Sequence, residues 1–387
     1  IRLYLMNIFN ILRLIKDAIM RRILGRNLGP DQNKVCHIIS NLGQGGAENA
    51  LFRHITNDTS DVEHFVISLM DSGHYGKKLK NLGVRVYTLN MPRGRVKFLR
   101  ALRLYRVLRN EKPKIVQTWM HHADLFGGLI AKIARIKTVY WCIRGPYNSN
   151  ILSNTTKLTA FLCVIFSYFI PKKIISNSYY ARDSYIKIGY PRRKIKVIQN
   201  GYSNRFLSRV HKARDSLIKE FDLDPNLPIF GMIARYDPFK DHKTLLKSLA
   251  LLKKDHNFNC FLIGNNVDSN NSELVSMIDL LGLSNNVHML GAKDNVSHFM
   301  SAFDIHILST LDESFPNVVA ESMLCGTPCV VSNVGDVNMI VSGYGWISDP
   351  GNSVSLYNTI SESLREYFFN DLSKKNLLEE NCISHIK

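Results

Sequence analysis

Short apolar runs alternate with amphipathic stretches along most of this chain. Val35–Ser40, His64–Leu69, Val84–Leu89, Ile115–Thr118, Thr138–Ile143, Lys173–Ser176 and Lys196–Ile198 each read as a buried strand. The segments between them carry apolar residues at helical spacing, most clearly Val96–Asn110 and Leu125–Ala134. Strand and helix in alternation predict a parallel sheet covered on both faces. Asn200-Gly201 interrupts the pattern, and a polar, strongly charged stretch runs on to Glu220. A second alternation follows, with strands at Ile229–Ala234, Phe258–Ile263, Val287–Leu290, Ile305–Leu308 and Pro328–Ser332. The expected architecture is α/β, with two Rossmann-like domains. It divides into a basic amphipathic segment (1–30), a first domain (31–200), a linker (201–215), a second domain (216–370) and a closing segment (371–387). Ligands of such sheets sit beyond the carboxyl ends of the strands, so two facing halves would hold a ligand in the cleft between them.

Two apolar stretches fall outside this alternation. Leu5, Ile8, Ile11, Leu12, Ile15, Ile19 and Ile23 recur at helical spacing, with Arg13, Lys16, Arg21 and Arg22 between them. Such a helix suits either a membrane surface or its own domain. No small-residue cleavage site follows it, so it is not expected to be a signal peptide. The chain begins at Ile1, and Met6 is an alternative start. Leu158–Ile170 is the longest apolar run but only about a dozen residues long, against ~20 needed to span a bilayer. It is expected to be a buried or interface-lying helix.

Charge narrows the ligands. Lys and Arg number 50 against 32 Asp and Glu, which suits nucleic acid, anionic headgroups or a diphosphate without choosing among them. No nucleic-acid motif accompanies the charge, so DNA or RNA binding is not expected. The seven cysteines form no C-x-x-C pair and sit among apolar neighbours, as reduced buried thiols of a cytosolic protein do.

Four segments can carry chemistry. Glu313-Ser-Phe-Pro-Asn-Val-Val-Ala-Glu321 lies between a strand and Cys325-Gly326-Thr327-Pro328. Pro316 suits a helix start and Gly326 its stop. A helix N-terminus can seat a phosphate, and each carboxylate can accept two hydrogen bonds from a vicinal diol. A solvated Glu pair is the plain alternative. In Gly231-Met-Ile-Ala-Arg235-Tyr-Asp-Pro-Phe-Lys240-Asp241, Arg235 and Lys240 can neutralise a leaving diphosphate, or be solvated surface cations. Gly43-Gln-Gly45-Gly46-Ala-Glu48 allows close backbone approach, or is a simple strand-to-helix turn. It misses the dinucleotide fingerprint. Trp119-Met-His121-His122-Ala-Asp124 is a polar cluster at a strand's carboxyl end; its adjacent histidines lack the spacing of a helical metal pair.

Taken in order, these segments resemble one family, the retaining glycosyltransferases with two Rossmann-like domains (the GT-B fold) and an E-x7-E motif. The resemblance runs from about Val35 to Asp349. It rests on GGAE (45–48), QTWMHHADL (117–125), SNSYYARD (176–183), VIQNG (197–201), GMIARYDPFKDH (231–242) and ESFPNVVAESMLCGTPCVVSNVGD (313–336), with a flavour of bacterial surface-polysaccharide enzymes.

The resemblance implies roles. Arg235 and Lys240 match the cations on the donor diphosphate, Glu321 the acid on the nucleotide ribose, and Glu313 the acid near the donor sugar. Phe315, Pro316, Asn317 and Val318 match the donor-contacting loop. Gly45 and Gly46 match the glycine loop by the phosphates and acceptor. His122 best matches the His facing the sugar, with His121 one step away. The implied catalytic set is therefore His122, Glu313, Arg235 and Lys240. Neither cofactor nor metal is implied, although Asp222-Leu-Asp224 has the spacing of a metal-binding pair. Arg144-Gly145-Pro146 stands where relatives often show a His.

The expected function is retaining transfer of a hexose or N-acetylhexosamine, from a nucleotide-sugar such as a UDP-sugar. The acceptor is a glycan or a lipid-diphosphate-linked sugar in polysaccharide, O-antigen or capsule biosynthesis. The alternatives are an inactive relative that binds only nucleotide-sugar or a partner, and a nucleotide-sugar epimerase or hydrolase. Relatives usually close with a helix returning to the first domain, and this chain stops at about where that helix should begin. The expected location is the cytoplasm, with peripheral contact to an anionic membrane as an option. Arg93, Arg95, Lys97, Arg100, Arg103, Arg106, Arg109, Lys112 and Lys114 would then supply a basic surface, which otherwise is a solvated helix face.

Overall fold

The computed structural model describes residues 31–92, 98–148, 153–202, 206 and 209–387. The amphipathic segment 1–30, and Arg93, Arg95 and Lys97 of the basic stretch, lie outside them. The chain forms two compact units, Ile1–Asn200 and Gly201–Lys387.

The first unit runs β1 (Asp31–Ile39), α1 (Gly46–Thr56), β2 (Glu63–Ser68), α2 (Gly73–Asn81), β3 (Arg85–Thr88), α3 (Phe98–Glu111) and β4 (Pro113–Trp119). It continues with α4 (Gly128–Ile133), β5 (Thr138–Ile143), α5 (Asn154–Ser167), β6 (Lys173–Ser176), α6 (Tyr179–Lys187) and β7 (Ile195–Val197). The strands form one sheet in the order β3-β2-β1-β4-β5-β6-β7, and every pairing is parallel. Right-handed crossovers put α1 and α2 on one face and α3 to α6 on the other. A five-residue π turn, Ala123–Gly127, precedes α4 where a regular helix was expected. Added Cβ atoms at Gly127 and Gly128 would press on Ile38, and on Trp141 and Ile170, so the glycine pair lets this turn lie directly on the sheet.

The second unit runs α7 (Ala213–Phe221), β8 (Ile229–Ile233), α8 (His242–Leu252), β9 (Asn259–Ile263), α9 (Ser272–Leu280), β10 (Val287–Met289), α10 (Val296–Ala302) and β11 (Ile305–Leu308). Then follow α11 (Asn317–Leu324), β12 (Cys329–Ser332), α12 (Val337–Val341), β13 (Trp346–Ser348), α13 (Ser353–Ser363) and α14 (Leu372–Ile386). Its parallel sheet has the order β10-β9-β8-β11-β12-β13. β8, β9, β11 and β12 are buried at every residue, which is why they read as continuous apolar runs.

Three features differ from the sequence reading. β13 was not anticipated, because three residues after a Gly-rich turn carry no period. Residues 209–215, read as linker, pack into the second unit: the Val210 N–H donates to Ser301 Oγ at 3.0 Å, and Arg214 pairs with Asp304 at 3.2 Å. The closing segment forms α14 on the second unit, with Cys382 buried, Glu379 paired to Arg209, and the Tyr367 hydroxyl donating to Glu379 at 2.7 Å. All seven cysteines are buried and unbonded to one another.

Candidate active site

In both sheets the chain order reverses beside the first strand, between β1 and β4 in one unit and between β8 and β11 in the other. These are the points where a parallel sheet opens a crevice at its carboxyl edge. The four segments singled out from the sequence are the four loops that leave these strands.

In the second unit, Arg235 and Lys240 follow β8, and Glu313 follows β11. The Lys240 ammonium and the Glu313 carboxylate form an ion pair, both half-buried. Arg235 is exposed and donates from Nε and Nη2 to Asp237 Oδ2 at 3.1 and 3.0 Å. Burial works against the Asp237 carboxylate, but the Phe239 N–H and Arg235 outweigh it, so its pKa falls below the usual value. Asp237 thus caps the short turn Pro238–Lys240 and holds Arg235 at once. Asp241 then caps α8, its side chain accepting from the Thr244 N–H at 3.1 Å, as expected from sequence.

The β8 loop is fastened to the β11 loop. Thr310 Oγ1 and the Leu311 N–H both donate to the Phe239 carbonyl, at 2.7 and 2.8 Å. Ser309 Oγ lies 3.2 and 3.0 Å from the carbonyl oxygens of Lys240 and Asp241. The Glu313 side of the pair is fixed from behind. Gly335 has φ +59°, and a Cβ there would strike the Glu313 and Ser314 carbonyl oxygens; the Asp336 N–H donates to Ser314 O at 3.1 Å. Gly264 at the end of β9 likewise admits the Ala234–Arg235 backbone where a side chain would collide. Sequence reasoning gave Ser309, Thr310, Gly335 and Gly264 no role of their own. Small hydroxyl residues or glycine at the carboxyl end of a buried strand were the available signal.

Ser314, Phe315 and Pro316 are buried, Pro316 is the N-cap residue, and α11 begins at Asn317 rather than at the proline. Asn317 and Val318 are half-buried at its start, and Glu321 is buried on its body at 5% exposure. Glu313 and Glu321 are therefore not a solvated pair. Asp222 ends α7 and the Asp224 carboxylate accepts from the Asn226 N–H at 2.9 Å, so this pair builds a turn.

In the first unit, Gly45 is the N-cap residue of α1, and Gly46 opens the helix with free space where a Cβ would stand. A Cβ at Gly45 would collide with the Glu48 carboxylate, which folds back over the first turn. His121 and His122 separate clearly. His121 Nε2 lies 2.8 Å from the Tyr185 hydroxyl, and the two rings stack at 5.6 Å. Burial, reinforced by His122, lowers its pKa to about 4, which favours the neutral ring. His122 is half-buried at the mouth of the π turn.

Beneath this loop runs a buried polar chain that the sequence did not reveal. Trp119 Nε1–H, which can only donate, lies 3.4 Å from His37 Nδ1. His37 Nε2–H then donates to His64 Nδ1 at 2.9 Å, and His64 Nε2–H to Asp58 Oδ2 at 2.7 Å. Burial, reinforced by His54 and His64, keeps the His37 pKa well below its ordinary value. On the far side of Trp119, the Arg144 guanidinium lies 5.4 Å from the indole ring and donates to Asn200 Oδ1 at 2.7 Å.

Residues 213–380 match the model "Glycosyl transferases group 1", and residues 45–204 match "Glycosyltransferase Family 4". The chain is 28% identical over 78% of its length to the Campylobacter jejuni N,N'-diacetylbacillosaminyl-diphospho-undecaprenol alpha-1,3-N-acetylgalactosaminyltransferase, covering 82% of that protein. It is 24% identical over 70% of its length to the Escherichia coli UDP-Gal:alpha-D-GlcNAc-diphosphoundecaprenol alpha-1,3-galactosyltransferase, covering 71% of it. Among solved structures, Anabaena HepE in complex with UDP superposes with a TM-score of 0.79 at 21% identity, covering 91% of this chain and 94% of that one. Two family models that together span residues 45–204 and 213–380, over two parallel sheets of this order, make the chain a GT-B glycosyltransferase of the group 1 and Family 4 type.

Proposed function

We propose that this glycosyltransferase moves a hexose or N-acetylhexosamine from a UDP-sugar, with retention at the anomeric carbon, to a lipid-diphosphate-linked acceptor. The observation that carries the reading is the Lys240–Glu313 ion pair, fastened by Ser309, Thr310 and Gly335 at the switch point of the second sheet. A diphosphate beside Lys240 accepts from its ammonium while Glu313 accepts from a sugar hydroxyl. One preformed pair then serves both halves of the donor.

Arg235 joins Lys240 on the diphosphate, and Glu321 takes the nucleotide ribose. The backbone of Phe315, Pro316, Asn317 and Val318 lines the donor. The acceptor hydroxyl attacks from the face the nucleotide leaves, and the departing diphosphate oxygen takes its proton. Charge grows on that oxygen in the transition state, where a fixed cation is worth most. From the first unit we assign His122, with the Gly45 and Gly46 turn, to the same reaction. The names of the two relatives, both acting on undecaprenyl-diphosphate-linked sugars, support the acceptor class, and they do not fix the transferred sugar.

The test is transfer from a panel of UDP-sugars to short-chain polyprenyl-diphosphate-linked monosaccharides, with the product linkage read by NMR. An α-linked product from an α-configured UDP-sugar is expected. A β-linked product overturns retention, and transfer only from GDP- or ADP-sugars overturns the donor.

A further inference from the structure

Arg144 is a cation without a counter-charge. It follows β5 directly and is half-buried, so part of its hydration is lost. Arg182, Arg209 and Arg214 are half-buried too, and each has a carboxylate: Asp183, Glu379 and Asp304. Arg144 has none among the described residues. It lies 5.4 Å from the Trp119 ring, and its Nη2 donates to Asn200 Oδ1 at 2.7 Å. Both partners are neutral. Burial accordingly pushes its pKa below the ordinary value, whereas at Arg209 burial is outweighed by Glu379 and the pKa rises.

The guanidinium is nonetheless held in place. Trp119 ends β4, the neighbouring strand, and stands opposite Cys142 in the sheet. Its indole N–H reaches His37, and the chain continues to His64 and Asp58, so the ring beneath the cation is itself fixed. A guanidinium offers a planar fork of N–H donors, and among the described residues Arg144 spends one hydrogen bond, on Asn200. Space adjoins it. Gly145 and Gly201 follow Arg144 and Asn200 in the chain. Apart from their chain neighbours, no described atom lies within 4 Å of where a Cβ on either would stand.

We propose that Arg144 binds a phosphate of the acceptor's diphosphate, sharing or releasing Asn200 when that anion arrives. The inference rests on the reading of the acceptor as a lipid-diphosphate-linked sugar, and adds the residue that recognises its charge. A fork fixed against an indole can take two phosphate oxygens at once, which an ammonium cannot. The donor carries a diphosphate too, but Lys240 and Arg235 of the second unit are assigned to it. β5 lies beside β4, whose loop carries His122, so an acceptor anchored here stays at the sheet edge assigned to the transfer. An uncharged acceptor would leave the Arg144 charge uncompensated.

The test uses the full chain. Calorimetry follows UDP first, and then geranyl diphosphate added to UDP-saturated protein, as a stand-in for the acceptor's lipid diphosphate. Transfer kinetics compare a polyprenyl-diphosphate-linked sugar with the octyl glycoside of the same sugar, which has no phosphate. The wild type should bind geranyl diphosphate and favour the diphosphate-linked acceptor. R144Q should bind geranyl diphosphate ~10-fold or more weakly, and its kcat/KM ratio between the two acceptors should fall by a similar factor, with UDP affinity and melting temperature unchanged. R144K, which keeps the charge without the fork, should fall between them, and carries the comparison if R144Q melts lower. An unchanged acceptor ratio in R144Q overturns the proposal, because a merely structural role does not read the phosphate. Weaker UDP binding with an unchanged ratio also overturns it, and gives Arg144 to the donor. A wild type that uses both acceptors equally overturns the acceptor reading itself along with the proposal, whereas a preference that R144Q retains overturns the role of Arg144 alone.

Discussion

At the switch point of the second unit, both cations have a carboxylate beside them: Lys240 has Glu313 and Arg235 has Asp237. In the first unit Arg144, just past β5, rests on an indole face and an amide oxygen, with no ion-pair partner among the described residues. The same sheet plan thus holds charge in two ways. The second unit pre-pairs its charges and pins their loops by backbone contacts. The first unit rests its cation on Trp119, whose indole N–H reaches a polar chain of His37, His64 and Asp58. The second unit's arrangement rests on a few side chains, whereas the first unit's is spread over a network.

The largest effect should come from breaking the pre-formed pair. Lys240→Ala is expected to lower the transfer rate by ~10²–10³, with an unchanged melting temperature; a loss under tenfold would remove Lys240 from the reaction. Next comes the seat of its partner. Gly335→Val combines a left-handed φ with a collision at the Glu313 carbonyl, and should cost ~1–3 kcal/mol in urea unfolding together with UDP affinity. Normal UDP binding in that variant would show that the position of Glu313 is not set from Gly335.

For the first unit, His37→Phe leaves Trp119 Nε1 and His64 without their partner, at a cost of ~1–3 kcal/mol, while UDP affinity in the second unit stays the same. A parallel loss of UDP affinity would contradict the separation of the two networks. Acid should weaken both units in the same sense. His306 Nε2 accepts from the buried Ile233 N–H at 3.3 Å, and burial lowers its pKa to about 3; burial also holds His121 and His242 at about 4. Each binds a proton in the unfolded chain near the ordinary 6.5 but not in the folded one. Their contribution is complete above that pH and is lost as pH falls toward 4. Chemical denaturation at stepped pH should show stability falling below about 6.5, and a flat profile down to 5 would refute it. The smallest effect is expected at the exposed pair, where Asp237→Asn should change stability by no more than ~1 kcal/mol.

Much of this was legible in the sequence because buried parallel strands write themselves as apolar runs and their loops as breaks in them. Arg235, Lys240, Glu313 and Glu321 stood out as charged residues just past such runs, and the structure gathers the first three at one sheet edge with Glu321 on the helix that follows. That His121 lies against Tyr185 was not legible, because Tyr185 stands more than sixty positions away in the chain. Neither was the chain from Asp58 to Trp119, whose members come from four separate segments and share no spacing. α5 was half legible: its apolar run was evident, but that it buries Thr159, Ala160, Cys163 and Ser167 required the packing to be seen.

In the proposed function the second unit holds a nucleoside diphosphate through Glu321, Arg235 and Lys240. Calorimetric titration with UDP tests it most directly, on the wild type and on Glu321→Gln, with melting temperatures recorded for both. Saturable one-site binding by the wild type and at least ~10-fold weaker binding by a folded Glu321→Gln are expected. Wild-type protein that does not bind UDP, or a variant that binds it equally well, would contradict the account.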